Sequence, residues 1–266
     1  MQEEGTVLFL TLVMILIISM ITISLLSIVG KQKITALDYQ ENLENTYMLK
    51  AAGEKAEQKL RENLDENKPW RACDLQEINC CGSLTINSLE KTPFVVNYEL
   101  KKVVSETGKV NPNFLSSPQL QELPGIGTVL SARIEQRSSN EAFIAIAELK
   151  TIKGVGKESY EKFSSLLTIN TQGQININTA SHYVLRTLPG IGSFTALKII
   201  NYRQSKGAFI TTEKIKDVAG IGAVTYQKIV DQIVVDSKLF TAVFKVSIPA
   251  RNIEQEVTRL IKLSDN

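Results

Sequence analysis

Between Glu4 and Lys31 the chain carries no charged residue, and the run Thr6–Val29 is almost wholly apolar. A helix needs about 20 such residues to cross the hydrocarbon of a bilayer, so this run is long enough to span one. A secretory signal differs: its apolar part is roughly 7–15 residues, its start is basic and a small-residue cleavage site follows. Here Glu3 and Glu4 precede the run and no A-x-A site comes after it. The segment is expected to persist as a single-pass membrane anchor.

The helix does not stop at the membrane. No proline occurs from Lys31 to Leu64, and Gly53 is the one glycine. Leu43, Tyr47 and Ala51, and beside them Met48, Ala52, Ala56, Leu60 and Leu64, recur at steps of four, which draws an apolar stripe along one face of a helix. A short, Ala-rich stripe suits packing against a sheet. The pattern breaks at Asn67-Lys68-Pro69-Trp70, because proline cannot donate a backbone hydrogen bond and restricts the residue before it.

Cys73, Cys80 and Cys81 follow in a short loop. In an oxidising compartment Cys73–Cys80 or Cys73–Cys81 could form a bridge, leaving one thiol; in a reducing one all three stay free. Two extended segments come next, LTINSL and PFVVNYELKKVV. In the second, Phe94, Val96, Tyr98 and Leu100 alternate with Val95, Asn97, Glu99 and Lys101, the period of a half-buried strand. Ser105-Glu106-Thr107-Gly108 reads as a turn.

Beyond this turn the chain repeats itself. KVNPNFLSSPQLQELPGIG, from Lys109, aligns without a gap to QININTASHYVLRTLPGIG, from Gln174, and Gly190 lies 65 residues after Gly125. A fixed period of this size means one supersecondary unit built twice. Each copy holds two Gly-x-Gly turns between helix-like segments: Gly125/Gly127 with Gly154/Gly156, then Gly190/Gly192 with Gly220/Gly222. Glycine admits the positive φ of a tight reversal, and N–H groups left bare at a following helix start can hold an anion. The last segment returns to strand character. Phe240, Ala242, Phe244 and Val246 alternate, and after Pro249-Ala250-Arg251-Asn252 the run IEQEVTRLIKL reads as a final strand or a short helix.

Composition narrows the chemistry. One histidine, His182, disfavours a Ser-His-Asp hydrolase or a histidine-rich metal enzyme, and the cysteine spacing is not that of a zinc module. No dense cluster of Asp, Asn and Glu offers the six to eight oxygens that calcium takes. The chain is therefore read as non-enzymatic, without a metal or cofactor; a calcium or monovalent cation finds no support in the sequence. The net charge is +2. Residues 173–236 hold seven basic and four acidic side chains, and 108–170 hold seven and six, thin surpluses for a surface that must neutralise phosphate.

Gly5 before the apolar run, with YMLKAAGEKAEQKL far along the helix, resembles type IV pilins and pseudopilins. That resemblance implies cleavage after Gly5 by a prepilin peptidase, leaving Thr6 as the new N-terminus. Most members carry glutamate at the fifth residue after the cut, where this chain has Leu10. The GspK-type minor pseudopilins of type II secretion also lack it. The repeated unit is similar to the paired helix-hairpin-helix of ComEA proteins in Asn176, Asn178, Thr179, Ala180, Leu188, Pro189, Gly190, Ile191, Gly192, Ala196, Ile199 and Arg203. The GspK resemblance runs the length of the chain. It takes in Ser105-Glu106-Thr107-Gly108-Lys109-Val110-Asn111-Pro112-Asn113, the Asn176–Ala180 motif and the closing strand Val235–Val246.

These resemblances imply an α+β fold: a long N-terminal pilin-like helix on a small antiparallel sheet, with an inserted all-α helix-hairpin-helix (SAM-like) domain. The expected divisions are a leader over 1–5, a transmembrane part over 6–29, and pilin-like helix, cysteine loop and strands over 30–107. Hairpin units follow over 108–170 and 171–236, and closing strands over 237–266. The implied function is a minor pseudopilin capping the tip of a type II secretion pseudopilus, in the inner membrane with its globular part in the periplasm. Its partners would be other minor pseudopilins, met through the stripe Leu43–Leu64. The competing implication is a membrane-anchored DNA receptor, or a minor type IV pilin, gripping duplex phosphates through Gly125, Gly127, Gly190 and Gly192.

Overall fold

The computed structural model describes residues 2–64, 69–87 and 92–263, with side chains from residue 11 onward. α1 (Gln2–Asn63) is one continuous helix of 62 residues, about 93 Å long at 1.5 Å per residue. It is the one helix, among the described residues, long and apolar enough to cross a membrane, and none of its apolar window is buried in the protein. Its far end is amphipathic: Met48, Ala52, Ala56, Leu60 and Leu64 are buried in a core shared with the sheet. The stripe read from the sequence splits here. Leu43 and Tyr47 stay exposed and Ala51 half-buried, because the sheet reaches only the line beginning at Met48. The side chains of Met48, Ala52, Ala56, Leu60 and Leu64 are thus spent on the protein's own core.

A short helix, α2 (Ala72–Gln76), leads into β1 (Cys81–Asn87) and β2 (Pro93–Ser105). The chain then leaves the sheet for the repeated region. It returns as β5 (Leu239–Ile248) and β6 (Ile253–Lys262), giving an antiparallel sheet of order β1-β2-β5-β6. The period-two pattern of β5 is realised fully, with Phe240, Ala242, Phe244, Val246 and Ile248 at 0% exposure. Each phenylalanine so buried contributes roughly 1.5–3 kcal/mol. IEQEVTRLIKL is a strand, paired along its length with β5. The turn between them closes on Asn252 at φ 52°, a left-handed position asparagine tolerates. Arg251 in this turn reaches back to Glu44 of α1 at 2.9 Å.

Helices are the main regular elements between β2 and β5. The first repeat holds α3 (Ser117–Leu120), α4 (Thr128–Asn140) and α5 (Lys157–Ser164). The second opens on β3 (Ile175–Asn176), continues through α6 (His182–Arg186), α7 (Ser193–Ser205) and α8 (Ala223–Ile229), and ends on β4 (Ile233–Val234). Each repeat is closed by parallel pairing of its ends, Val110 with Leu167 and Ile175 with Ile233. The two share one continuous core, in which Leu120, Ile134 and Phe163 meet Leu185, Ile199 and Phe209.

Candidate functional site

The asparagine motif at the head of each repeat is a backbone clamp. Asn113 donates through Nδ2 to Phe143 O at 3.0 Å and accepts at Oδ1 from Phe143 N at 2.8 Å. Asn178 makes the same pair with Phe209, at 2.9 and 2.8 Å. The preceding asparagines hold the turn, since Asn111 Oδ1 accepts from Asn113 N at 3.0 Å and Asn176 Oδ1 from Asn178 N at 2.8 Å. Side chains so used pin the loop before each second hairpin and are not free for a ligand.

The hairpin turns follow. Gly125 and Gly190 sit at φ +81° and +82°, a left-handed conformation that L side chains adopt at a cost of roughly 1–2 kcal/mol. The second glycine of each turn is different. Gly127 and Gly192 are extended, at φ −91° and −79°, and a Cβ there would meet nothing within 4 Å. Gly222 is equally open, and at Gly156 the nearest atom is Ser159 Oγ at 4.0 Å. Neither backbone nor packing demands glycine at these positions. All four stand at helix N-caps, where Ser, Asp or Asn would stabilise the helix by about 1 kcal/mol over an apolar cap. The helix starts of α4 and α7 therefore present bare N–H groups to whatever approaches.

Cations near the turns are engaged. Arg133 Nη1 donates to Lys153 O at 2.5 Å, and its repeat counterpart Lys198 donates through Nζ to Ala219 O at 3.0 Å. Each caps the carbonyl just before the second turn of its own unit. Lys162, beside Gly125, is paired with Glu158 at 2.6 Å. The residues that lead the following helices are apolar and open to solvent: Val129, Phe194 and Val224. Lys198 also lies 4.6 Å from the Phe194 ring centroid. The arrangement can accept an anion on backbone N–H groups, but the side chains around it form a mixed apolar face.

Two functional groups escaped the sequence reading. Glu106, placed in a turn, is 2% exposed. It accepts from Lys109 at 2.5 Å, from Thr241 of β5 at 2.8 Å, from Asn170 at 3.3 Å and from Thr168. Burial pushes its carboxyl up, but the hydrogen bonds from Lys109 and Thr168, the lysine charge and the Thr241 bond outweigh it and hold the pKa below the usual value. It fastens the repeated region to the sheet. Arg203, 6% exposed, donates to Ile177 O at 2.6 Å and Ala180 O at 2.8 Å. Burial lowers its pKa to about 10. The advance signals were the place of Glu106 in the Ser105–Asn113 motif and that of Arg203 in the repeat motif, and neither told what the side chain would bond.

The remaining candidates are scattered. Cys80 is buried, Cys73 and Cys81 are exposed, and all three are free thiols, so neither bridge is formed. Burial raises the Cys80 thiol pKa. The side chains of Gly5, Thr6 and Leu10 lie outside the described residues. Among the described residues no group of three His, Cys, Asp or Glu could hold a metal ion.

The model of the helix-hairpin-helix motif matches twice, over 105–168 and 170–234. The endonuclease/exonuclease/phosphatase family domain-containing protein 1 of Xenopus laevis is 38% identical over 76 residues, 29% of this chain and 13% of that protein. The chain thus spans about an eighth of the length of these first relatives. ComE operon protein 1 of Bacillus subtilis is 43% identical over 61 residues, 23% of this chain and 30% of that one. An uncharacterized protein of Haemophilus influenzae is 32% identical over 88 residues, 29% of this chain and 79% of that one. Among solved structures, a chain of the GspK-GspI-GspJ complex from the enterotoxigenic Escherichia coli type 2 secretion system superposes with a TM-score of 0.61 at 15% identity. The superposition covers 88% of this chain and 95% of that one.

Proposed function

The repeated region belongs to the same family as the Haemophilus influenzae protein and is built from two helix-hairpin-helix motifs, and for the whole chain we propose a non-enzymatic, membrane-anchored minor pseudopilin that caps a type II secretion pseudopilus. The observation that carries this is the extent of the fold likeness, which takes in 95% of a chain from the GspK-GspI-GspJ complex. In this reading the prepilin peptidase cuts after Gly5 and frees the Thr6 amine. Thr6–Val29 holds the subunit in the inner membrane and then packs among neighbouring helices. Leu10, where most pilins place a glutamate, leaves no carboxylate for the amine of a preceding subunit, which suits the end of a fibre. The repeated region, set between β2 and β5, is too bulky for the shaft and lies in the periplasm. Leu43 and Tyr47, left uncovered by the sheet, and the half-buried Ala51 meet other minor pseudopilins. No cofactor is required.

The full chain, co-expressed with the minor pseudopilins of a type II secretion system and purified in detergent, is expected to carry these small subunits with it. Their absence from a preparation that retains the membrane helix contradicts the reading.

A second reading, duplex DNA held on the hairpins, is favoured by one observation: Gly127 and Gly192 are glycines that the fold does not need. Because a Cβ there meets nothing, Gly192→Gln leaves the fold intact and isolates the question. Salt-dependent binding of a duplex by the full chain, lost in Gly192→Gln, supports the DNA reading; undetectable binding by both supports the filament subunit.

A further inference from the structure

The edge of β2 is left open at one end. β1 pairs with β2 only as far as Cys81 opposite Glu99, while β5 pairs with β2 from Asn97 to Ser105. One further bond, from Leu100 N to Cys80 O at 2.7 Å, ends the pairing on the β1 side. Beyond it, among the described residues, the β1-side edge of Lys101–Ser105 has no strand partner. The register against β5 shifts between Leu100 and Lys102, a bulge of the kind that re-aims side chains beside binding sites.

This edge lines a cleft of about 440 Å³, walled by Leu75 and Gln76 of α2 on one side and by Leu166 and Thr179 of the repeated region on the other. Ligand clefts typically hold about 300–1,000 Å³. Lys101, Lys102 and Lys109 line it and no carboxylate does. Lys101 is paired with Glu99 at 2.9 Å and Lys109 with Glu106 at 2.5 Å; Lys102 is exposed and makes no ion pair among the described residues. Thr179 Oγ1 is buried in the wall without a hydrogen-bond partner.

We propose that this cleft docks an extended, acidic peptide segment of a partner protein, which adds a short strand to the free edge of β2. The backbone groups of an unpaired strand are spaced for another peptide backbone and give affinity, while flanking side chains give selectivity. Here the selectivity is for carboxylates, which the exposed Lys102 meets. A phosphodiester chain matches the charge and not the strand spacing. The inference stands on the cleft and holds whether or not the chain caps a filament.

The test uses the full chain in detergent and a fluorescein-labelled peptide, Glu-Val-Glu-Val-Glu, followed by anisotropy. Saturable binding is expected, with slowed amide exchange across Lys101–Ser105. Lys102→Glu, on an exposed side chain whose change leaves the thermal transition in place, is expected to weaken binding about tenfold, the effect of a lost close charge contact. Glu-Pro-Glu-Pro-Glu keeps the charge without the strand's N–H pattern and is expected not to bind. The proposal is overturned if the first peptide fails to bind, if the proline peptide binds equally well, if Lys102→Glu has no effect, or if a duplex oligonucleotide displaces the peptide from the same lysine.

Discussion

The two copies of the repeated unit agree where the backbone must turn and differ where side chains meet solvent or the sheet. Gly154 and Gly220 are at φ +104° and +105°, and Gly125 and Gly190 match as closely; the Asn113–Phe143 and Asn178–Phe209 clamps are superimposable in their bonding. Arg133 and Lys198 cap equivalent carbonyls. The differences lie elsewhere. Repeat one is anchored to the sheet through Glu106, whose counterpart at the 65-residue spacing is Thr171. Repeat two buries Arg203, where repeat one has Ser138. Phe194 and Val224 lead exposed helices in repeat two, where repeat one has Val129 and Glu158. The shared features build the fold. The unshared ones give repeat one an attachment to the sheet and repeat two a more apolar outer face.

The largest test of this division is the anchor. Glu106→Gln leaves Lys109 half-buried and unpaired, and is expected to cost about 3 kcal/mol of stability at neutral pH, toward the lower end for a broken buried pair. The sign with pH follows from the lowered pKa of Glu106. Its advantage is full above the unfolded value of about 4.3 and fades as pH falls through the lower folded value. Urea titrations of both proteins in detergent at neutral pH and near pH 3 should show the gap closing; a gap that persists in acid removes the ionised carboxylate from the account.

Next come the clamps. Asn178, fully buried, should cost about 2 kcal/mol when changed to alanine, and the half-buried Asn113 about 1 kcal/mol, since each leaves two backbone groups of a phenylalanine unpaired and the second site can recruit water. Hydrogen exchange of the Phe209 and Phe143 amides reads the two sites separately, and equal losses would break the ranking. Smaller still are the glycines. Gly190→Ala at positive φ should destabilise by about 1 kcal/mol, whereas Gly192→Ala, extended and unobstructed, should change stability by less than about 0.5 kcal/mol, because the restricted unfolded chain offsets the poorer helix cap. A loss in Gly192→Ala as large as in Gly190→Ala would mean that the fold itself requires that glycine.

Much of the fold was legible because periodicity is local. The alternation of Phe240, Ala242, Phe244 and Val246 named the buried face of β5, and the 65-residue offset exposed the doubled unit. What stayed hidden depends on contacts far apart in sequence. A carboxylate in Ser105-Glu106-Thr107-Gly108 looks like part of a solvated turn, and only the return of the chain at Thr168 and Thr241 encloses it. Arg203 looks like the polar edge of a helix until the carbonyls of Ile177 and Ala180 close around it. The stripe Leu43–Leu64 reads as one face, yet the sheet is short and leaves Leu43 and Tyr47 uncovered. At the turns, spacing marked the glycines but could not separate those held at positive φ from those with open space.

A photo-crosslinking amino acid placed at Tyr47 of the full chain, in cells that express the minor pseudopilins of a type II secretion system, tests the central claim most directly. The account predicts a covalent adduct with another pilin-like subunit from Tyr47. An unmodified Tyr47 together with an adduct to DNA from the same label placed at Phe194 would contradict it and return the hairpins to nucleic acid.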